Sequence, residues 1–61
     1  MKKFIIQNLI TQEYWTGTEF RGGVLYAKRY VTEKEAEENL PIGEQHKISA
    51  YLMTILPIYA L

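Results

Sequence analysis

The chain has no cysteine and no aspartate, and only one histidine and one serine. Without cysteine there is no disulfide staple and no thiolate metal site, which for so small a chain fits a reducing cytoplasm better than secretion. Without aspartate the usual third member of a hydrolytic triad is missing. His46 and Ser49 stand three apart, so a strand puts them on opposite faces and only a helix would let them meet, with no third group to orient the imidazole. Glu44 and His46 could share a strand face as two metal ligands, but two ligands without others nearby make a solvated edge the simpler reading. Gly22-Gly23 lacks the spacing and the lysine of a phosphate-cradling loop. Glu35 with Glu38, or Glu33 with Glu37, would share a helix face, yet an exposed helix offers no cleft to set two carboxyl pKa values apart. The sequence therefore predicts no enzyme: no catalytic residue, no metal ligand and no cofactor.

Long apolar runs are also missing. Lys2 and Lys3 are not followed by a sustained apolar stretch of the kind a targeting signal needs. The richest segment, Tyr51 to Leu61, is too short and too interrupted by Thr54 and Pro57 to span a bilayer, so no membrane association is expected. Nor is there an excess of either charge. Seven Lys/Arg balance seven Glu, but unevenly. Residues 1 to 30 carry Lys2, Lys3, Arg21, Lys28 and Arg29 against Glu13 and Glu19, or +3. Residues 31 to 61 carry Lys34 and Lys47 against five glutamates, or −3. That pattern predicts an acidic helix face rather than a nucleic-acid-binding surface.

The clearest local signal is Thr32-Glu33-Lys34-Glu35. Thr32 can cap a helix by accepting from the N–H of Glu35, while the Glu35 carboxylate reaches back to the N–H of Thr32, with Val31 and Ala36 placed for a hydrophobic staple. Pro41 ends the segment, giving a helix of about eight residues, ~12 Å long. Its glutamates gather toward the positive end of the helix dipole. So short a helix needs a sheet to receive Ala36 and Leu40, its apolar pair at i and i+4.

The remainder reads as strand and turn. Lys3 to Asn8 forms a first strand, with Phe4 and Ile6 on one face, and Asn8 and Thr11 favour a turn by local side-chain bonds. Glu13 to Thr16 returns as a second strand. Gly17 and Gly22-Gly23 bracket a loop at Thr18 to Arg21, whose Phe20 is expected to tuck onto the core edge. Val24 to Tyr30 is predicted as the third strand, with neither face cleanly apolar. Gln45 to Leu56 is predicted as the fourth, a helical period surviving there as the alternative, and Pro57 marks its end or an edge position. The expected fold is α+β: a single domain over residues 1–61 with a three- to four-stranded, mainly antiparallel sheet and one short helix on one face (β-β-β-α-β), in the strand order 3-2-1-4, where a crossover through the helix makes strand four parallel to strand three.

Aromatics are the one abundance, with five Tyr, two Phe and one Trp. Filling the core of a small domain is their first use, and Trp15 with half the tyrosines is assigned to it. The alternative is a weak single-stranded nucleic-acid platform of Tyr14, Tyr26, Lys28, Arg29 and Tyr30, on which bases would stack. Around Tyr51 the fourth strand is apolar on both faces, more than one short helix can cover. Tyr51, Met53, Ile55 and Tyr59 are therefore the candidate interface, and a homodimer the expected assembly.

In order, Phe4-Ile5-Ile6-Gln7-Asn8, Glu13-Tyr14-Trp15-Thr16-Gly17, Ala27-Lys28-Arg29-Tyr30 and Thr32-Glu33-Lys34-Glu35-Ala36-Glu37 resemble small uncharacterised proteins carried by phages and prophages of Gram-positive bacteria. The resemblance spans residues 2 to 40 and transfers no functional residue. It implies a cytoplasmic accessory protein that acts by binding, with a host protein as a further partner.

Overall fold

The computed structural model describes residues 2–42 and 52–59. Along the chain run β1 (Lys2–Asn8), β2 (Tyr14–Trp15), β3 (Phe20–Arg21), a 3-10 turn (Val24–Tyr26), α1 (Glu33–Glu38) and β4 (Met53–Tyr59). The four strands form one antiparallel sheet in the order β3-β2-β1-β4, and α1 packs across β1 and β4, a small α+β fold.

β1 is the central element because Phe4, Ile5 and Ile6 suit a pleated, buried backbone. Its bonding alternates. Phe4 exchanges both backbone bonds with Tyr30 and the Asn8 N–H donates to the Glu13 carbonyl, whereas the Leu9 N–H donates to the Leu52 carbonyl on the β4 side. Even-numbered residues of β1 thus bond toward β2 and Tyr30, and odd-numbered ones toward β4. Side chains alternate with them. Ile6 gathers Trp15, Tyr30, Ala36 and Met53 under the helix, with Phe4, Phe20, Leu40 and Ile55 packed around. Ile5 is buried on the other face.

The turn after β1 is held by its own polar groups, as expected of Asn8 and Thr11. The buried Asn8 side chain accepts through Oδ1 from the N–H of Ile10 at 2.8 Å and of Thr11 at 3.2 Å, and Thr11 Oγ1 accepts from the Glu13 N–H at 3.3 Å. Gln12 takes φ 64°, the left-handed region, to close it.

Three strand boundaries differ from expectation. Thr18 to Arg21 is not a simple loop: Thr16 Oγ1 accepts from the N–H groups of Thr18 and Glu19, Gly17 turns at φ 106°, and the chain returns at once as β3. Phe20 does tuck against Trp15, with ring centroids 5.1 Å apart. Val24 to Tyr30 is not a strand but the 3-10 turn followed by a single bridge from Tyr30 to Phe4. A strand there would have needed an apolar face, and the segment has none. The strand order is the expected one with Phe20–Arg21 in third place. β4 runs antiparallel to this β3, not parallel to the third strand as the crossover through the helix predicted, because every neighbouring pair in the sheet is antiparallel. The fourth strand lies later than expected, at Met53–Tyr59, and the predicted part at 45–51, with His46 and Ser49, lies outside the described residues. Pro57 sits inside this edge strand. It stands opposite Phe4, whose backbone bonds both go to Tyr30, so the proline nitrogen faces away from β1, where no ladder bond is lost.

α1 starts at the expected cap, Thr32 Oγ1 accepting from the Glu35 N–H at 3.1 Å. The return bond differs: the Glu35 carboxylate accepts from Val31, at 3.4 Å, not from Thr32. The staple is absent, since Val31 is exposed and Ala36 is spent in the core, where its small size lets the helix approach the sheet. The helix is six residues because Asn39 closes it, its side-chain amide donating to the Glu35 carbonyl at 2.8 Å. Glu33 and Glu35 thus occupy the first turn, while Glu37 and Glu38 fall at the negative end of the dipole rather than the positive one. Thr32→Ala should cost about 1 kcal/mol, because a helix-start donor loses its acceptor. Urea denaturation measures it, and an unchanged midpoint and slope would place the helix start elsewhere.

Candidate interaction surface

The residues expected to form an interface take different roles. In the register of β1 with β4, Lys2 faces Tyr59, Phe4 faces Pro57, Ile6 faces Ile55 and Asn8 faces Met53, so all of these side chains share the helix-bearing face. Met53 is buried under α1 and is not the exposed residue the sequence suggested. Ile55 is half-buried against the core, and Tyr51 lies outside the described residues. Tyr59, at the end of β4 remote from Met53, is 75% exposed. α1 covers Ile6 and Met53 but leaves that end of its own face open.

The five residues of the alternative platform are not brought onto one surface. Tyr14 faces Gln7 and Arg21 in register, which puts it on the face away from α1. Tyr26 is exposed, with the Arg21 guanidinium 4.7 Å from its ring centre. Gly23 makes that fold-back possible, since a Cβ there would lie 2.9 Å from the Tyr26 ring. Tyr30 belongs to the core at 2% exposure. Burial pushes its phenol pKa up, a side-chain hydrogen bond with Trp15 lowers it, and the nearby Glu35 carboxylate adds to the rise. Lys28 and Arg29 are exposed beside it.

Two cations stand over rings of this face, Lys2 at the Tyr59 end and Lys28 beside Trp15, whose carbonyl accepts its N–H. Lys2 Nζ stands 5.4 Å from the centre of the Phe4 ring and Lys28 Nζ 5.9 Å from that of Tyr30, and Phe4 and Tyr30 are backbone-bonded neighbours. The one ion pair among the described residues joins Arg21 to Glu19 at 3.4 Å, so neither Lys2 nor Lys28 has a carboxylate partner there.

Sequence reasoning passed over Leu9 and Ile10 as plain turn residues. Ile10 is 68% exposed and Leu9 about half, on the turn that Asn8 ties down. Leu25, at 83%, is the most exposed large apolar side chain among the described residues. Two adjacent aliphatic residues inside a turn held by Asn and Thr were the available signal, because a turn has no need of them. No helix among the described residues is long and apolar enough to cross a membrane. Compared with known proteins, the chain matches no family model, no curated protein and no solved structure.

Proposed function

We propose that this protein is a non-enzymatic interaction module of the cytoplasm, a phage- or prophage-type accessory protein that pairs with a second copy of itself and, as a dimer, engages a host protein. The observation that carries this reading is the half-covered sheet face: α1 closes over Ile6 and Met53, while Tyr59 stands 75% exposed on the same face with Ile55 beside the core. A small chain buries a modest share of its surface, and an aromatic left on the uncovered part of its main sheet is well placed to anchor a partner. The exposed Leu9 and Ile10, held in a bonded turn, add a second apolar contact that needs little ordering on binding.

Sedimentation equilibrium at tens of micromolar tests the dimer. The expected mass is near twice 7.2 kDa, falling to the single-chain value in Tyr59→Glu with the circular dichroism spectrum retained. A mass near 7.2 kDa for the unaltered chain across the concentration range would refute self-association.

A further inference from the structure

We infer that two copies pair β4 against β4, antiparallel and edge to edge, about a two-fold axis at Leu56 that joins their sheets into one. This rests on the dimer proposed above and specifies its contact. Thr54, Leu56 and Ile58 stand opposite Gln7, Ile5 and Lys3, the residues of β1 that bond toward β4, so the backbone groups of Met53, Ile55, Pro57 and Tyr59 point outward. Among the described residues no backbone bond reaches those groups. Native sheets blunt such edges with charge, with a bulge or by keeping them short, and the opposite edge is protected in that way. There β3 has two residues, and Arg21 carries both the ion pair with Glu19 and the ring of Tyr26. β4 instead runs seven residues in unbroken register with β1 and holds no charge, Pro57 being its one guard.

Pro57 sets the register. Its outward nitrogen carries no hydrogen, so an axis at Pro57 would leave the central pair without a bond, and an axis at Ile55 would set Tyr59 beyond the described strand of the second copy. An axis at Leu56 uses all of β4. Met53 exchanges two bonds with the second copy's Tyr59, the Ile55 N–H donates to the second copy's Pro57 carbonyl, and of the outward groups the Ile55 carbonyl alone lacks a donor.

The same register favours a second copy over a foreign strand. α1 covers the Met53 end of its face and leaves the Tyr59 end open, and antiparallel pairing brings each exposed Tyr59 beside the second copy's Met53 and the helix over it. A foreign strand would satisfy the backbone but bring no helix to Tyr59. On the other face the half-buried Leu56 meets its own counterpart, flanked by Thr54 against the second copy's Ile58. Once both β4 edges are joined, the short β3 edges are what remain among the described residues, and assembly closes at two.

Amide hydrogen exchange, resolved by residue at concentrations on either side of the dimer dissociation constant, tests the pairing. The Ile55 and Tyr59 amides should slow at least about tenfold in the dimer, while those of Thr54, Leu56 and Ile58, bonded to β1 in either state, change little. Methylating the Ile55 nitrogen by chemical synthesis keeps every side chain and blocks an outward donor, so it should raise the dissociation constant at least about tenfold in sedimentation equilibrium, with the circular dichroism spectrum retained. Pro57→Val acts the other way. It supplies the donor that the second copy's Ile55 carbonyl lacks, twice per dimer, and should tighten the dimer about tenfold. A dimer in which the Ile55 and Tyr59 amides exchange as fast as in the monomer overturns this pairing while the dimer stands. An unaltered chain that is monomeric throughout overturns both and leaves the edge to a foreign strand.

Discussion

Ile6→Ala should leave much of the protein unfolded at room temperature. Ile6 is wholly buried on the central strand, between Trp15 and Tyr30 on one side and Met53 on the other, with Ala36 of the helix above it. Truncation removes its transfer free energy and leaves a cavity that residues from four elements would have to collapse together, at a cost of about 2–5 kcal/mol. A single core in a domain of this length supplies no more than about 3–5 kcal/mol in all. The cost is therefore comparable with the whole stability, and no disulfide stands in reserve. Urea denaturation followed by Trp15 fluorescence should show a large loss of folded baseline, whereas Ile58→Ala, at a half-buried position on the other face of β4, should shift the midpoint far less. Equal shifts for the two would mean that the core is not centred on Ile6.

How much of this arrangement the residues announce depends on how local its causes are. The first strand and the helix start are local: Phe4-Ile5-Ile6 needs a pleated, buried place, and the bond from Thr32 to Glu35 spans three residues. Both stand where the sequence puts them. β2 and β3 are two residues each, too short to show any period, so the tight turn at Thr16-Gly17 was invisible behind a plausible loop. Val24 to Tyr30 has the composition of a strand, but with both faces mixed there was no burial to reward pairing, and the chain folds Tyr26 back over Arg21 instead. β4 slid relative to its expected place because an apolar stretch on both faces does not specify register. The pairing with β1, from Lys2 opposite Tyr59 to Asn8 opposite Met53, decides which of its residues are spent in the core. That long-range choice buries Met53 and exposes Tyr59. Phe4 and Tyr30, 26 positions apart in sequence, are joined by a backbone bridge, a contact that no spacing rule within a single segment contains.

Trp15→Ala should be at least as damaging as Ile6→Ala, for a reason that adds chemistry to volume. Removing a buried aromatic costs about 3–5 kcal/mol. Here Trp15 is also the hydrogen-bond partner of the Tyr30 side chain, which is 2% exposed, so truncation deprives a desolvated phenol of its partner, worth about 1–3 kcal/mol more where the site stays dry. The same pair makes a pH dependence. Tyr30 has its pKa raised in the fold, by burial first and by the Glu35 carboxylate as well, with the Trp15 bond opposing them. A raised value means that the folded chain holds the Tyr30 proton where the unfolded chain has released it. This part of the stability is fully present below the unfolded value near ~10 and is lost as pH climbs from there through the folded value, with a slope of at most ~1.4 kcal/mol per pH unit. Tyr30→Phe removes the component and leaves the rest of the sequence unchanged. Denaturation midpoints from pH 8 to pH 11 should therefore fall more steeply in the unaltered protein than in Tyr30→Phe. Parallel curves would show that Tyr30 ionises as readily in the fold as out of it. That result would contradict its burial against Trp15 and, with it, the packing that holds β2, the Tyr30 bridge and β1 together.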